Sequence, residues 1–215
     1  MHFEFLIEDQ SGKIAIEILA PKLLNKDDTY RFHSYKGLGR TPKGIKPNTD
    51  ACKRILLDQL PRLLQGYGKT PHSGFIVVIC DLDKKDKGEF LFELNGLLDA
   101  CNPKPKAVFC LAIEEIEAWY LGDLNAVLKA YPSAKRSVLN GYVNDSICDT
   151  WELLADAIYK GGSGTLIKQG WQSVGEQKSI WAGTISPHMD VGNNASPSFN
   201  DMRIKLGSAE KRVNY

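Results

Sequence analysis

The sequence has no cysteine framework. Its five cysteines, Cys52, Cys80, Cys101, Cys110 and Cys148, are odd in number and form no Cys-x-x-Cys pair. That argues against a disulfide-stapled scaffold and against a zinc ribbon. Cys80 and Cys110 lie in apolar runs and read as small core residues. No apolar run is long enough to span a bilayer, so no membrane partner is expected. The first residues, Met1-His2-Phe3-Glu4, lack the basic start and small-residue cleavage site of a signal peptide, and the expected compartment is cytoplasmic. Charge of one sign is missing as well. The net charge is +1, so affinity for nucleic acid has to come from a local patch. The Walker pattern Gly-x-x-x-x-Gly-Lys-Ser/Thr is absent, and so is any internal repeat. What is left is an ordinary globular composition, 43% hydrophobic and 25% charged, in a length that suits one domain with an appendage.

The most informative stretch is Ile76-Val77-Val78-Ile79-Cys80-Asp81-Leu82-Asp83. Phe75 to Cys80 is a continuous apolar run, β-branched in its middle. It reads as a strand buried on both faces, as parallel sheets require. On an extended chain Asp81 and Asp83 would point the same way, roughly 7 Å apart, at the carboxyl end of that strand. Open α/β sheets place their ligands there. Two such carboxylates repel unless a cation lies between them, and hard oxygen ligands favour Mg²⁺ or Mn²⁺. The plainer alternative is a solvated acidic turn leading into Lys84-Lys85-Asp86-Lys87.

The remaining periodicities predict an alternation of strands and helices. Phe3 to Ile7 is a strand ending in Glu8 and Asp9, which stand beside a helix over Lys13 to Leu24; both acids could equally serve as helix caps. Thr29 to Tyr35 is a second strand. It leads into a basic Gly/Pro-rich loop whose Lys36, Arg40, Lys43 and Lys46 could grip phosphates, or could simply be surface. Asp50 to Leu64 is a helix that Pro61 kinks or ends, followed by a loop to Gly74. Gly88 to Cys101 is a third helix and Ala107 to Ile113 a fourth strand. This order means a mainly parallel four-stranded α/β sheet with helices on both faces. The fourth strand delivers Glu114-Glu115-Ile116-Glu117, with Glu114 and Glu117 expected on one helix face; an exposed acidic first turn would look the same. Further helices are predicted over Asp123 to Tyr131, Trp151 to Tyr159 and Glu176 to Met189. Gly161 to Gly164 is expected to break the chain, and a short helix to start near Ser196-Pro197. Residues 1–140 thus read as the α/β domain and 141–215 as a helical extension packed on it. In the extension Lys178 stands out, either as a solvated lysine or as a cation able to neutralise a developing phosphoryl charge.

On these residues the chain resembles the TOPRIM fold, which has a glutamate after its first strand and Asp-x-Asp after a later one. Phe5-Leu6-Ile7-Glu8 and Ile79-Cys80-Asp81-Leu82-Asp83 match those positions. More narrowly it is similar to a TOPRIM-like bacterial family of unknown function. The similarity runs through Leu6-Ile7-Glu8-Asp9-Gln10-Ser11-Gly12, the segment Ile113 to Asp123, Lys178, Pro187-His188-Met189-Asp190 and Ser198-Phe199. The resemblance implies a relation to the nuclease half of OLD (overcoming lysogenization defect) enzymes. It also implies Mg²⁺- or Mn²⁺-dependent phosphodiester hydrolysis of nucleic acid, a separate ATPase subunit as partner, and a role in phage defence. Carried onto this chain, Glu8, Asp81, Asp83 and Glu117 would hold metal, Glu115 would complete the site and Lys178 would stabilise charge. The usual start is Glu-Gly with an acid a few residues on; here Asp9 replaces the glycine and Gly12 stands where the acid often lies. Two other outcomes stay open at this point, a non-catalytic regulatory or nucleic-acid-binding module and a small-nucleotide phosphohydrolase.

Overall fold

The computed structural model describes residues 1–40, 54–70, 74–146 and 149–211. Four strands, β1 (His2–Ile7), β2 (Thr29–Ser34), β3 (Phe75–Asp81) and β4 (Ala107–Ala112), form one parallel sheet in the order β2-β1-β3-β4. The α/β class predicted from the alternation of apolar runs is the class observed. Side chains alternate across the sheet as a period of two demands. Phe3, Phe5, Ile7, Val77, Ile79, Cys110 and Ala112 enter one apolar cluster, and Leu6, Ile76, Val78, Cys80, Phe109 and Leu111 enter the other. β3 is central, and Ile76, Val77 and Val78 are fully buried. Each such side chain contributes roughly 1.5–3 kcal/mol relative to staying exposed.

Helix α1 (Gln10–Leu23) covers the first face, while α2 (Leu56–Lys69) and α3 (Lys87–Asp99) cover the second. The chain therefore leaves β1 toward β2 on one side and leaves β3 toward β4 on the other. The crevice between those two exits lies at the carboxyl ends of β1 and β3, where open parallel sheets hold their ligands. The described part of α2 does not end at Pro61. It runs through the proline to Lys69 because Leu56, Leu57, Leu60 and Leu64 bury one continuous face. Pro61 costs only the bond its missing N–H would have given to the second residue of the helix.

Beyond β4 come α4 (Glu117–Leu121), α5 (Leu124–Ala130), α6 (Arg136–Leu139), α7 (Thr150–Ile158), α8 (Gly162–Lys168), α9 (Trp171–Ile185), a 3-10 turn at Ser186–His188 and α10 (Pro197–Lys211). The Gly161–Gly164 stretch turns rather than breaks the helical region. Gly161 and Gly162 take left-handed backbone angles, φ 89° and 72°, and Asp156 then receives the N–H of Ser163 at 2.7 Å to start α8. The last helix is long rather than short, because Met202, Leu206 and Ala209 bury a repeating face. Among the described residues no helix is long and apolar enough to cross a membrane.

The C-terminal helices share the core of the sheet. Trp181, Ile185, Phe199, Met202 and Leu206 lie in the same apolar cluster as Phe3, Phe5 and Val77. Lys205 Nζ donates to the Phe109 carbonyl at 2.8 Å, satisfying an outward group on edge strand β4. A buried polar network fixes the docking. Asp145, in a left-handed conformation, accepts from Ser196 Oγ (2.7 Å) and from the N–H of Ser198 (2.6 Å), and Ser198 Oγ accepts from Trp119 Nε1 (2.9 Å). Asp123 caps α5 and accepts from the N–H of Asp190 at 2.8 Å, while Lys22 donates to the carbonyls of Ser186, Pro187 and Met189. The segments Pro187–Asp190 and Ser198–Phe199 thus hold the helices in place. Replacing Asp145 by Ala strips partners from Ser196 and Ser198; the expected loss is about 2 kcal/mol of unfolding free energy, read by urea denaturation.

Candidate functional site

Glu8 follows the last residue of β1, and Asp81 is the last residue of β3. The parallel register sets Ile7 beside Ile79, so the two acids leave neighbouring strands together. The N–H of Glu8 donates to the Ile79 carbonyl at 3.0 Å, and Glu8 Oε2 accepts from the N–H of Asp81 at 2.9 Å. Gly37 donates its N–H to the Glu8 carbonyl at 3.0 Å and so ties the loop after β2 to this point. Lys36 and Arg40 are exposed on that loop. Lys43 and Lys46 lie outside the described residues.

Asp9 does what a helix cap does. Its carboxylate accepts from the N–H of Gly12 at 2.7 Å and from Ser11 Oγ at 2.6 Å. A side chain at position 12 would crowd both that carboxylate and Ile7, which accounts for the glycine there. Glu8 takes no part in the cap and stays with Asp81.

The strand does not continue to Asp83. It stops at Asp81, and Asp83 takes a left-handed backbone angle, φ 51°, with its N–H on the Glu114 carbonyl at 2.9 Å. The expected extended Asp-x-Asp face is therefore corrected. Asp81 turns toward Glu8, whereas Asp83 is half-exposed and pairs with Lys85 at 2.9 Å. Glu114 and Glu117 do not share a helix face either. Glu114 has φ 60° and precedes α4. Its carboxylate caps α7, accepting from the N–H groups of Asp149 (3.0 Å) and Thr150 (2.8 Å) and from the Thr150 hydroxyl.

Glu115 and Glu117 turn to the centre instead, where α9 delivers Lys178. Its ammonium lies 3.4 Å from Glu115 Oε1 and 3.3 Å from Glu117 Oε2, with the lysine side chain 13% exposed and the Glu117 side chain fully buried. The ion pairs do not satisfy the acids. Neither oxygen of Glu117, nor Glu115 Oε2, accepts a hydrogen bond.

The electrostatics follow from more acids than nearby cations, with Lys178 at the centre and Lys85 at the rim. Burial pushes Glu8 up to about 7, against the pull of the Asp81 N–H, with Asp83 and Asp9 adding to the rise. Burial, then Glu8, raises Asp81 well above the carboxylate range. Burial takes Glu117 to about 7 although Lys178 opposes it; burial also raises Glu115 above the ordinary carboxylate value, again against Lys178. For Lys178 burial works against the charge, but Glu117, Glu115, Asp81 and Asp9 outweigh it and keep the ammonium protonated.

The chain has no match among family models, curated proteins or solved structures.

Two features escaped sequence reasoning. Glu152, in the first turn of α7, lines a cavity of about 170 Å³ with Asp83, Lys84, Glu114, Glu115, Asp149 and Trp151. Its Oε2 is buried without a hydrogen bond, and burial, then Glu115 and Asp149, raise its pKa. Only the return of α7 over α4 brings it there. The second is Glu4, buried in the middle of β1, which His33 Nε2 (2.8 Å) and His2 Nε2 (3.1 Å) hold in its ionised form against the cost of burial. A polar residue inside Phe3-Glu4-Phe5 was the signal for it.

The donor set fits a hard divalent cation by its chemistry. It is made of carboxylates, and Glu115 Oε2 and both oxygens of Glu117 are buried without a hydrogen bond. Among the described residues no three His, Cys, Asp or Glu side chains already stand together so as to hold one ion. Glu8, Asp81 and Glu117 are the residues that would hold it, with Glu115 beside them and Asp83 at the rim.

A raised carboxyl pKa means that the folded state binds more protons than the unfolded chain. Stability is then greatest below the ordinary carboxylate range and declines as pH rises through about 7. Without divalent cations, thermal stability should fall between pH 5 and pH 8. Glu117→Gln should remove part of that fall and stabilise the protein at pH 8 by on the order of 2 kcal/mol.

Proposed function

We propose that this protein is a Mg²⁺- or Mn²⁺-dependent hydrolase of nucleic-acid phosphodiesters. On this reading it is a TOPRIM-like nuclease subunit working with a separate ATPase in phage defence. The observation that carries the reading is the placement of two acidic pairs at the crevice between β1 and β3: Glu8, which accepts from the Asp81 N–H, and Glu115 with Glu117, which share the buried ammonium of Lys178, whose charge also acts on Asp81. A purely structural ion pair needs one acid per base. Here the acids exceed the base, and three buried oxygens make no hydrogen bond, although Glu117 Oε2 lies 3.3 Å from the ammonium.

A bound divalent ion supplies Lewis-acid stabilisation of phosphoryl oxygens and lowers the pKa of water. The chain's own residues do the rest. Lys178, held in a half-closed site with its charge secured by its neighbours, faces the position where phosphoryl charge develops and lowers the barrier there. Glu115 is more open than Glu117, 21% against fully buried, and is the acid placed to accept a proton from an attacking water. Lys36 and Arg40, on the loop tied to Glu8 through Gly37, hold the strand backbone without reading its sequence.

One observation favours a second reading. Lys178 already supplies a cation to Glu115 and Glu117, and no three acids are gathered at ligating geometry among the described residues. A module that kept the fold without chemistry, regulating an ATPase partner or binding nucleic acid, would look like this.

Cleavage of labelled DNA and RNA in Mg²⁺, Mn²⁺ or EDTA separates the two. The nuclease reading expects metal-dependent products from the wild type and a loss of at least about 100-fold in Glu8→Gln and in Asp81→Asn, each checked for folding by circular dichroism. Cleavage that survives EDTA, or that Asp81→Asn leaves unchanged, would exclude it.

A further inference from the structure

Trp171 is the first residue of α9 and is 74% exposed. An indole of that size in water is unusual enough to ask what it meets. It is braced edge-on by Trp151, with ring centroids 6.4 Å apart and planes at 68°. Trp151 is buried and forms a wall of the cavity that also holds Asp83, Glu115 and Glu152. Trp171 and Lys178 stand about two helical turns apart, so they lie on one face of α9, separated by roughly 10 Å along its axis. The same helix therefore carries the cation of the candidate centre and an open aromatic plane leading up to it.

We infer that Trp171 is a stacking platform for an unpaired base of a single-stranded nucleic acid whose backbone passes the carboxylate centre. This rests on the hydrolase reading and adds the substrate form to it. The separation from Lys178 exceeds one nucleotide step, so the stacked base belongs to a neighbour of the nucleotide being cut and not to that nucleotide itself. The wall beside Trp171 carries acids and bases together: Lys84 lines it and pairs with Asp149 at 3.9 Å, Lys85 pairs with Asp83 at 2.9 Å, and Glu152 lies deeper, so the face of a base can approach Trp171 with cations at hand for the backbone. Stacking uses only that face and accepts any base. In a duplex the bases are stacked inside and out of reach of a side chain on this wall.

The test titrates labelled single-stranded and duplex oligonucleotides of one sequence with the full chain, Trp171→Ala and Trp171→Phe in Mg²⁺, following binding by anisotropy and cleavage in the same samples. Trp171→Ala should weaken single-strand binding about tenfold and duplex binding less than about twofold, and Trp171→Phe should keep most of the affinity. Equal binding by all three proteins, or equal losses on single strand and duplex, would overturn the platform. So would a wild type that binds no oligonucleotide. The hydrolase reading fails separately: selective single-strand loss in Trp171→Ala without cleavage by any form would remove the chemistry and keep the platform. An arginine-rich peptide is the control. If Trp171→Ala lost only peptide binding, the tryptophan would serve a basic protein partner and the inference would be wrong.

Discussion

The structure depends on one ammonium group placed among more carboxylates than it can neutralise. Burying carboxylates in a medium of low polarity is expensive unless charge and hydrogen bonds are supplied. Lys178 supplies the charge to Glu115 and Glu117, but it leaves both oxygens of Glu117 without a hydrogen bond and stands near Asp81 and Asp9 as well. The protein tolerates this because the surrounding frame is over-determined. β1 and β3 fix Glu8 and Asp81 through paired backbone bonds, the turn after β4 carries Glu115 and the start of α4 carries Glu117, and α9 lies packed along α1.

The C-terminal helices are part of that frame. α9 carries Lys178 into the crevice of the sheet, and α10 shields the β4 edge through Lys205. The polar ties made by Asp145, Asp123 and Lys22 are fully used in docking these helices, in contrast to the centre, where donors are lacking. This difference separates structural polar clusters from the candidate site. The carboxylates of Asp145 and Asp123 and the ammonium of Lys22 are hydrogen-bonded, whereas Glu115 and Glu117 keep buried oxygens that are not.

The sheet was legible because β3 and its neighbours are apolar runs broken by turns, and the alternation of strands and helices leaves few arrangements. Glu8 and Asp81 were legible for the same reason, since each is the first acid after such a run. Asp83 was misplaced because a left-handed residue after the strand redirects the side chain, and nothing in Asp-Leu-Asp signals that conformation. Glu114 looked like a partner of Glu117 by spacing alone, yet it caps a helix that begins at Thr150. Such a contact spans too much sequence for periodicity to reveal. The continuation of α2 through Pro61 shows the same limit, with burial of Leu56, Leu60 and Leu64 outweighing one lost backbone bond.

The central claim is that the unsatisfied acids take a divalent cation. Calorimetric titration of Mg²⁺ and Mn²⁺ into the wild type and into the Glu8→Gln/Asp81→Asn double variant tests it most directly. Saturable binding to the wild type that disappears in the variant is the predicted result. No binding to the wild type, with nucleic acid present as well as without it, or equal binding to both proteins, would contradict the claim and leave Lys178 as the only cation the centre needs.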